Sequence, residues 1–300
     1  MRTESTFTRL IATPALLAIF VTCSGCDFVS GAKGLVSGAN LKPTVRYRPS
    51  TNEATEAAAT ASATASASTD AAAADSASTA GVGTLKGKIE FEGKLDPLPP
   101  LYAKGGDVKD AAVCAAVEAP NETILVKNGG LANVFIYLRK APKTVPAAPT
   151  DALIFDQKNC VFKPHALIVR VGQTVKVLNS DGVAHNTHSN TKKNTEFNKL
   201  VSPNEATGVP MVFKQAEQDP ISVVCDIHPW MRSYQLPIDH PYAALSGEDG
   251  TFEIKDLPAG KHEFKIWHEV GGLLEKSLVV TIKPGDNDLT YKVKPSQVGK

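Results

Sequence analysis

From residue 82 onward, hydrophobic and polar positions alternate in short runs. Leu85, Ile89 and Phe91 alternate with Lys86, Lys88, Glu90 and Glu92. Leu167, Val169 and Val171 do the same before Gly172-Gln173 turns the chain into Val175-Lys176-Val177-Leu178. Val134-Phe135-Ile136-Tyr137-Leu138 is an unbroken apolar run and reads as a buried strand. Phe252-Glu253-Ile254, Phe264-Lys265-Ile266 and the stretches 278–282 and 289–293 continue the pattern. Period-two runs punctuated by Gly, Pro, Asn and Asp at near-regular spacing predict an all-β sandwich architecture. Only 107–118, around Cys114, predicts a short helix, and 186–210, polar and lysine-containing, reads as a surface loop.

The texture before residue 82 is different. Residues 51–80 are almost wholly Ala, Ser and Thr, with a few acids and no Lys or Arg. Such a run has no apolar face and cannot bury enough surface to offset the entropy of ordering. Residues 27–81 therefore read as a flexible tether. At the N-terminus, Arg2 and Arg9 bracket a polar start, and an apolar stretch from Leu10 to Val21 follows. It is shorter than the ~20 residues of a spanning helix and reads as an export signal, 1–26. The stretch runs into Cys23-Ser24-Gly25-Cys26, which resembles a bacterial lipoprotein signal with Cys26 lipidated, although Cys23 stands where such signals usually carry Leu. An ordinary cleaved signal is the alternative, and both place the mature chain in the periplasm or at the cell surface. The 32 basic and 31 acidic residues balance, with no polybasic patch, so nothing points to nucleic acid.

The strongest chemical signal is Val223-Val224-Cys225-Asp226-Ile227-His228-Pro229-Trp230-Met231, a C-x2-H-x2-M spacing at the end of a strand-like run. A strand fixes the sulfur, and one tight turn returns an imidazole and a thioether to the same point. Upstream, Asn179-Ser180-Asp181-Gly182-Val183-Ala184-His185-Asn186 is a second strand end carrying a histidine. His185, Cys225, His228 and Met231 together suit a trigonal His2Cys site with a weak axial Met, the blue-copper arrangement. Zinc is the competitor, but thioether is a poor zinc ligand and no second cysteine lies nearby. The C-x-x-C-H of a c-type haem is absent.

Residues of about 150–240 resemble a cupredoxin of the plastocyanin/amicyanin type. Phe162-Lys163-Pro164 with Val169-Arg170-Val171-Gly172-Gln173-Thr174-Val175 resembles its early strands, and Asn179-Ser180-Asp181 with His185-Asn186 its first ligand loop. The C-x2-H-P-x-M loop and His185-Asn186-Thr187-His188 are similar to amicyanin in particular. The resemblance implies one type 1 copper on His185, Cys225, His228 and Met231, with Asn186 tying the two ligand loops together. It also implies an exposed His228 edge for electron exit; Pro229 and Trp230 beside it suggest an apolar docking patch, with Trp230 equally able to cap the core instead. The long segment between His188 and Met211 departs from a minimal cupredoxin.

A second resemblance flanks the first. Gly83-Thr84-Leu85-Lys86-Gly87-Lys88-Ile89 is similar to the opening strand of a carboxypeptidase-regulatory-like (transthyretin-like) sandwich. Gly247-Glu248-Asp249-Gly250-Thr251-Phe252-Glu253-Ile254-Lys255-Asp256-Leu257-Pro258-Ala259-Gly260 resembles its later hairpin. A nested architecture follows: 82–146 and 241–300 form one sandwich, and the cupredoxin, 147–240, is inserted in it. The combination resembles secreted bacterial proteins of methylamine-utilisation type. With Cys23 and Cys26 in the signal and Cys225 on copper, Cys114 and Cys160 remain, and an oxidising compartment makes a disulfide between them the economical pairing.

Among the remaining histidines, His165 reads as surface or core edge rather than as an extra ligand, His188 as solvent-facing, and His240, His262 and His268 lack any ligand spacing. No nucleophile elbow, H-E-x-x-H or dinucleotide-binding loop is present. The expected role is that of a single-site electron carrier rather than an enzyme. Its expected partner is a redox protein such as a c-type cytochrome or a dehydrogenase. Copper storage or delivery, or a cell-surface structural role, is the alternative.

Overall fold

The computed structural model describes residues 81–299. The export signal, Cys26 and all of the tether but its last residue lie outside the described residues. What is described is all-β, built from four sheets. Among the described residues no helix is long and apolar enough to cross a membrane.

Two of the sheets draw on both ends of the described chain. The strand Val82–Phe91 pairs antiparallel with Thr251–Pro258 and parallel with Gly285–Val293, and at Glu90 it meets the short strand Gly130–Leu131. The facing sheet runs in the order Ala243–Leu245, Phe135–Leu138, Gly260–His268, Gly272–Ile282. Alternation dictates the result: Leu85, Ile89 and Phe91 point inward from the first strand onto Ile136, Leu138, Phe264 and Ile266 of the facing sheet. The Asp249-Gly250 turn fits here because Gly250 has φ +82 and Asp249 Oδ1 accepts from the Thr251 N–H and Oγ1. The turn seats on Gly130, where an added Cβ would lie 1.8 Å from the Asp249 carbonyl oxygen.

The other two sheets use only residues between 153 and 238. One runs Asn198–Val201, His185–Ser189, Ile221–Val224, Arg232–Ile238, Ala166–Arg170; the other runs Glu205–Val212, Thr174–Asn179, Leu153–Lys158, Val161–Lys163. Their shared core holds Phe155, Phe162, Val169, Val175, Val177, Met211 and Val223, and it includes Cys225 and Met231.

A third apolar cluster joins the two pairs of sheets. Phe135, Tyr137 and Trp267 meet Ala166, Leu236 and Ile238. All four residues of Phe135–Leu138 are therefore buried, since one face lines the first core and the other the seam. That is why this strand is an unbroken apolar run in the sequence. The seam is closed by polar contacts at its edge: Lys265 Nζ lies 2.8 Å from Asp219 Oδ1, which also accepts from Tyr137 Oη at 2.9 Å.

Two sequence expectations are corrected. The helix around Cys114 is only the four residues Ala111–Cys114. The stretch 186–210 is largely strand rather than loop, because Asn198–Val201 adds an edge to His185–Ser189. Three of those four edge residues are exposed, so no apolar alternation marks the strand. The turn between them is held by Glu217, whose Oε1 accepts the N–H groups of Lys192, Lys193 and Asn194.

His268 sits 1 % exposed at the end of its strand, with Nδ1 accepting from the Val270 N–H. Burial, and then the charge of His165, lower its pKa to about 4. The folded protein thus holds this ring neutral while the unfolded chain takes up a proton near its ordinary pKa of about 6.5. Stability from this group is complete above about pH 6.5 and is lost as pH falls toward 4, by up to roughly 3 kcal/mol. His240, also buried and depressed, acts in the same sense. Urea unfolding of the metal-free protein at pH 4.5 and 7.5 should show this slope, and His268→Gln should flatten it. An unchanged slope in that variant would assign the acid sensitivity to other groups.

Candidate metal centre

Two strand ends and one loop meet at the site. His185 opens the strand His185–Ser189, and Cys225 follows the strand Ile221–Val224, which pairs antiparallel with it. The loop after Cys225 is a tight turn: the Met231 N–H donates to the His228 carbonyl (2.9 Å), and the Cys225 N–H to that of Met231 (3.3 Å). His185 and His228 are 0 % exposed, Cys225 and Met231 1 %.

The ligand atoms of His185, Cys225 and His228 all lie within 4.8 Å of one another. His185 Nδ1 is 2.9 Å from His228 Nδ1, and Cys225 Sγ is 3.8 Å from the same His228 nitrogen. Met231 belongs to the same buried cluster as Cys225. A carboxylate takes the far nitrogen of each imidazole. Asp181 Oδ2 lies 3.0 Å from His185 Nε2, and Asp110 Oδ2 lies 2.8 Å from His228 Nε2. With both Nε2 positions donating outward, both Nδ1 atoms face the point a shared ion would occupy, and without an ion one of them donates to the other across the 2.9 Å contact.

The supporting contacts follow from local sequence. Asn159 and Cys160, both at positive φ (58° and 52°), form the two-residue turn between the strands Leu153–Lys158 and Val161–Lys163. That geometry aims their N–H groups at the Asp181 carboxylate, at 2.6 and 2.8 Å. Asn186 joins the two ligand-bearing segments. Its Oδ1 accepts from the Asp226 N–H (2.7 Å) and from Cys225 Sγ (3.4 Å), while its Nδ2 donates to Asp226 Oδ2 (2.7 Å).

The electrostatics suit a thiolate–imidazole pair. Burial works against charging His185, but Asp181 and the Cys225 sulfur outweigh it and raise the pKa to about 8. Burial likewise opposes ionisation of Cys225, yet His185 and the N–H groups of Asn186, His228 and Ile227 hold the thiol below its ordinary pKa. Burial, against the pull of Asp110, lowers the pKa of His228.

One free buried thiol, two imidazoles and a buried thioether are a donor set that fits copper and is poor for structural zinc. A second group, Cys160, Asp181 and His185, cannot offer a second thiolate because Cys160 is bonded to Cys114. The other histidines have partners elsewhere: His165 with Glu269, His188 with Asp226 and Glu196, His240 with the Leu138 carbonyl and His262 with that of Pro258. His188, expected to face solvent, is 21 % exposed and bridges two carboxylates.

The exposed His228 edge expected at the site is corrected. His228 has no exposed edge, because the segment carrying Tyr102 and Asp110 lies over it. Trp230 is half-buried, with its ring 5.2 Å from Tyr102 and from His228 and its Nε1 donating to the Cys160 carbonyl at 3.0 Å. Of the pair, Pro229 is the exposed one. Asp110 and Asp181, which hold the two imidazoles of the candidate site, carry no role in the sequence reading. Asp181 lies in the first ligand loop, and the Cys114–Cys160 pairing is the one signal that brings Asp110 near the site.

No protein-family model and no curated protein matches the chain. Solved structures similar to part of it include a copper-containing nitrite reductase from Thermus scotoductus SA-01, at 18% identity over 33% of this chain and 25% of that one, TM-score 0.27. The chain thus spans about a quarter of the reductase. A purple cupredoxin from Nitrosopumilus maritimus is 20% identical over 29% of this chain and 99% of its own, TM-score 0.24. A variant of amicyanin is 21% identical over 29% and 82%, TM-score 0.26. Likenesses at TM-scores this low decide nothing about the chemistry, which rests on the side chains.

Proposed function

We propose that this chain is an electron carrier holding one copper ion on His185, Cys225, His228 and Met231. The observation that supports it most is the convergence of a buried free thiol and two imidazole Nδ1 atoms, each imidazole backed by a carboxylate. Copper, when bound, supplies one-electron exchange through a thiolate-coordinated centre. The protein's own residues supply rigidity: Asn186 clasps the two ligand segments, Asp181 and Asp110 fix the rings, and the apolar core around Cys225 and Met231 excludes water. A donor set held this way suits electron exchange with little rearrangement.

Burial of all four donors favours this reading over storage or delivery, which need an accessible position for exchange. The scattered partners of the other histidines favour a carrier over a multicopper enzyme. With His228 covered, the aromatic route outward runs through Trp230. We place the protein outside the cytoplasm, tethered through Cys26, with a c-type cytochrome or a dehydrogenase as electron partner.

Potentiometric titration of the copper-loaded protein tests the function. A reversible one-electron couple is expected, and Met231→Gln should retain copper while lowering the potential, since a harder donor stabilises copper(II). Copper binding without a reversible couple would favour storage or delivery. A raised potential in the variant would remove Met231 from the ligand set.

A further inference from the structure

His228 is held from outside the sheets that carry the other donors. Asp110 immediately precedes the helix Ala111–Cys114, at φ 55, where a short acidic side chain ordinarily accepts a helix N–H. It makes no such bond, and its carboxylate instead receives His228 Nε2 at 2.8 Å. Its position is fastened on several sides. Cys114, at the far end of the helix, is bonded to Cys160, whose own N–H is held by Asp181. Tyr102 and Ala119 bridge the two ends of the segment, and Tyr102 Oη donates to the Asn159 carbonyl at 3.1 Å. The segment 101–119 is thus a strap stapled to the turn that also supports His185. Under it, His228 is completely buried.

We propose that Asp110 is a positioning residue for His228, and that the Cys114–Cys160 bond acts on the metal centre by keeping Asp110 in place. The proposal rests on the copper reading above. Accepting from Nε2–H selects the tautomer whose Nδ1 lone pair faces Cys225 and His185. The negative charge makes the imidazole a stronger donor, which favours the oxidised ion and lowers the potential. His185 receives the same service from Asp181, within its own loop. For His228 the service comes from a distant segment, so the strap is part of the metal centre and not only a cover.

Three variants separate positioning from packing. Asp110→Asn keeps shape and an acceptor oxygen but removes the charge: copper and colour should remain and the potential should rise. Asp110→Ala should weaken copper binding about 10–100-fold in competition with a chelator. The double variant Cys114→Ser/Cys160→Ser, with Asp110 intact, should release copper to the chelator faster than the wild type. In the metal-free protein, imidazole ¹⁵N shifts should show His228 protonated on Nε2 in the wild type and a mixture of tautomers in Asp110→Ala. If Asp110→Ala does not fold, the potential of Asp110→Asn and the wild-type ¹⁵N shifts decide. A wild type that binds no copper would overturn the functional reading. A coloured wild type, with an unshifted potential in Asp110→Asn or with His228 protonated on Nδ1 when metal-free, would overturn this proposal alone.

Discussion

Replacing Asp181 with alanine should lower the stability of the metal-free protein by roughly 3–5 kcal/mol, the cost of breaking a buried charged network from one side. Asp181 is 5 % exposed and accepts from three donors, the Asn159 N–H, the Cys160 N–H and His185 Nε2. Without the carboxylate, the turn at Asn159-Cys160 loses the acceptor that holds two consecutive residues in the left-handed region. His185 simultaneously loses the partner that fixes its ring. Asp181→Asn, which keeps one acceptor oxygen, should lose clearly less. Urea unfolding followed by circular dichroism measures both. Equal losses for the two variants would mean that the charge, and not the acceptor geometry, dominates.

Trp267→Ala should cost about 3–5 kcal/mol, as large-to-small changes of buried aromatics do. Trp267 lies at the seam, edge-on to Phe135 at 5.5 Å and against Tyr234 at 5.1 Å. Phe135 belongs to the sheets built from the chain's outer segments, and Tyr234 to those built from 153–238. Truncation therefore weakens the cluster through which the two pairs of sheets stabilise each other. Calorimetry should show the single transition of the wild type broadening or dividing into two, with the copper-bound part melting higher. One sharp transition at the wild-type temperature would show that the seam contributes little.

The fold class was readable because strand alternation is a local property: Leu85, Ile89 and Phe91 reveal their inward face without knowledge of their partners. The proposed donors stood out for a similar reason. Cys225, His228 and Met231 share one loop, and chemistry restricts what such a set can do. What escaped depends on contacts between distant segments. Asp110 looks like an ordinary surface acid until the Cys114–Cys160 bond brings its helix onto His228. The exposed exit edge was expected from the resemblance of the loop to a cupredoxin's, and the loop does not encode what lies above it. The edge strand Asn198–Val201 escaped because its outward residues are polar and its register is set by pairing with His185–Ser189 rather than by its own pattern. Cys26 and the tether lie outside the described residues, so their part in the function stands as a proposal.

The central claim is that Cys225 supplies a thiolate to a copper ion shared with His185 and His228. Its most direct test is the visible absorption spectrum of the mature protein titrated with copper(II). An intense thiolate-to-copper charge-transfer band should grow to saturation at one equivalent, and Cys225→Ser should lose the band while keeping its far-ultraviolet circular dichroism. A colourless protein at saturation, or an unchanged band in Cys225→Ser, would contradict the assignment.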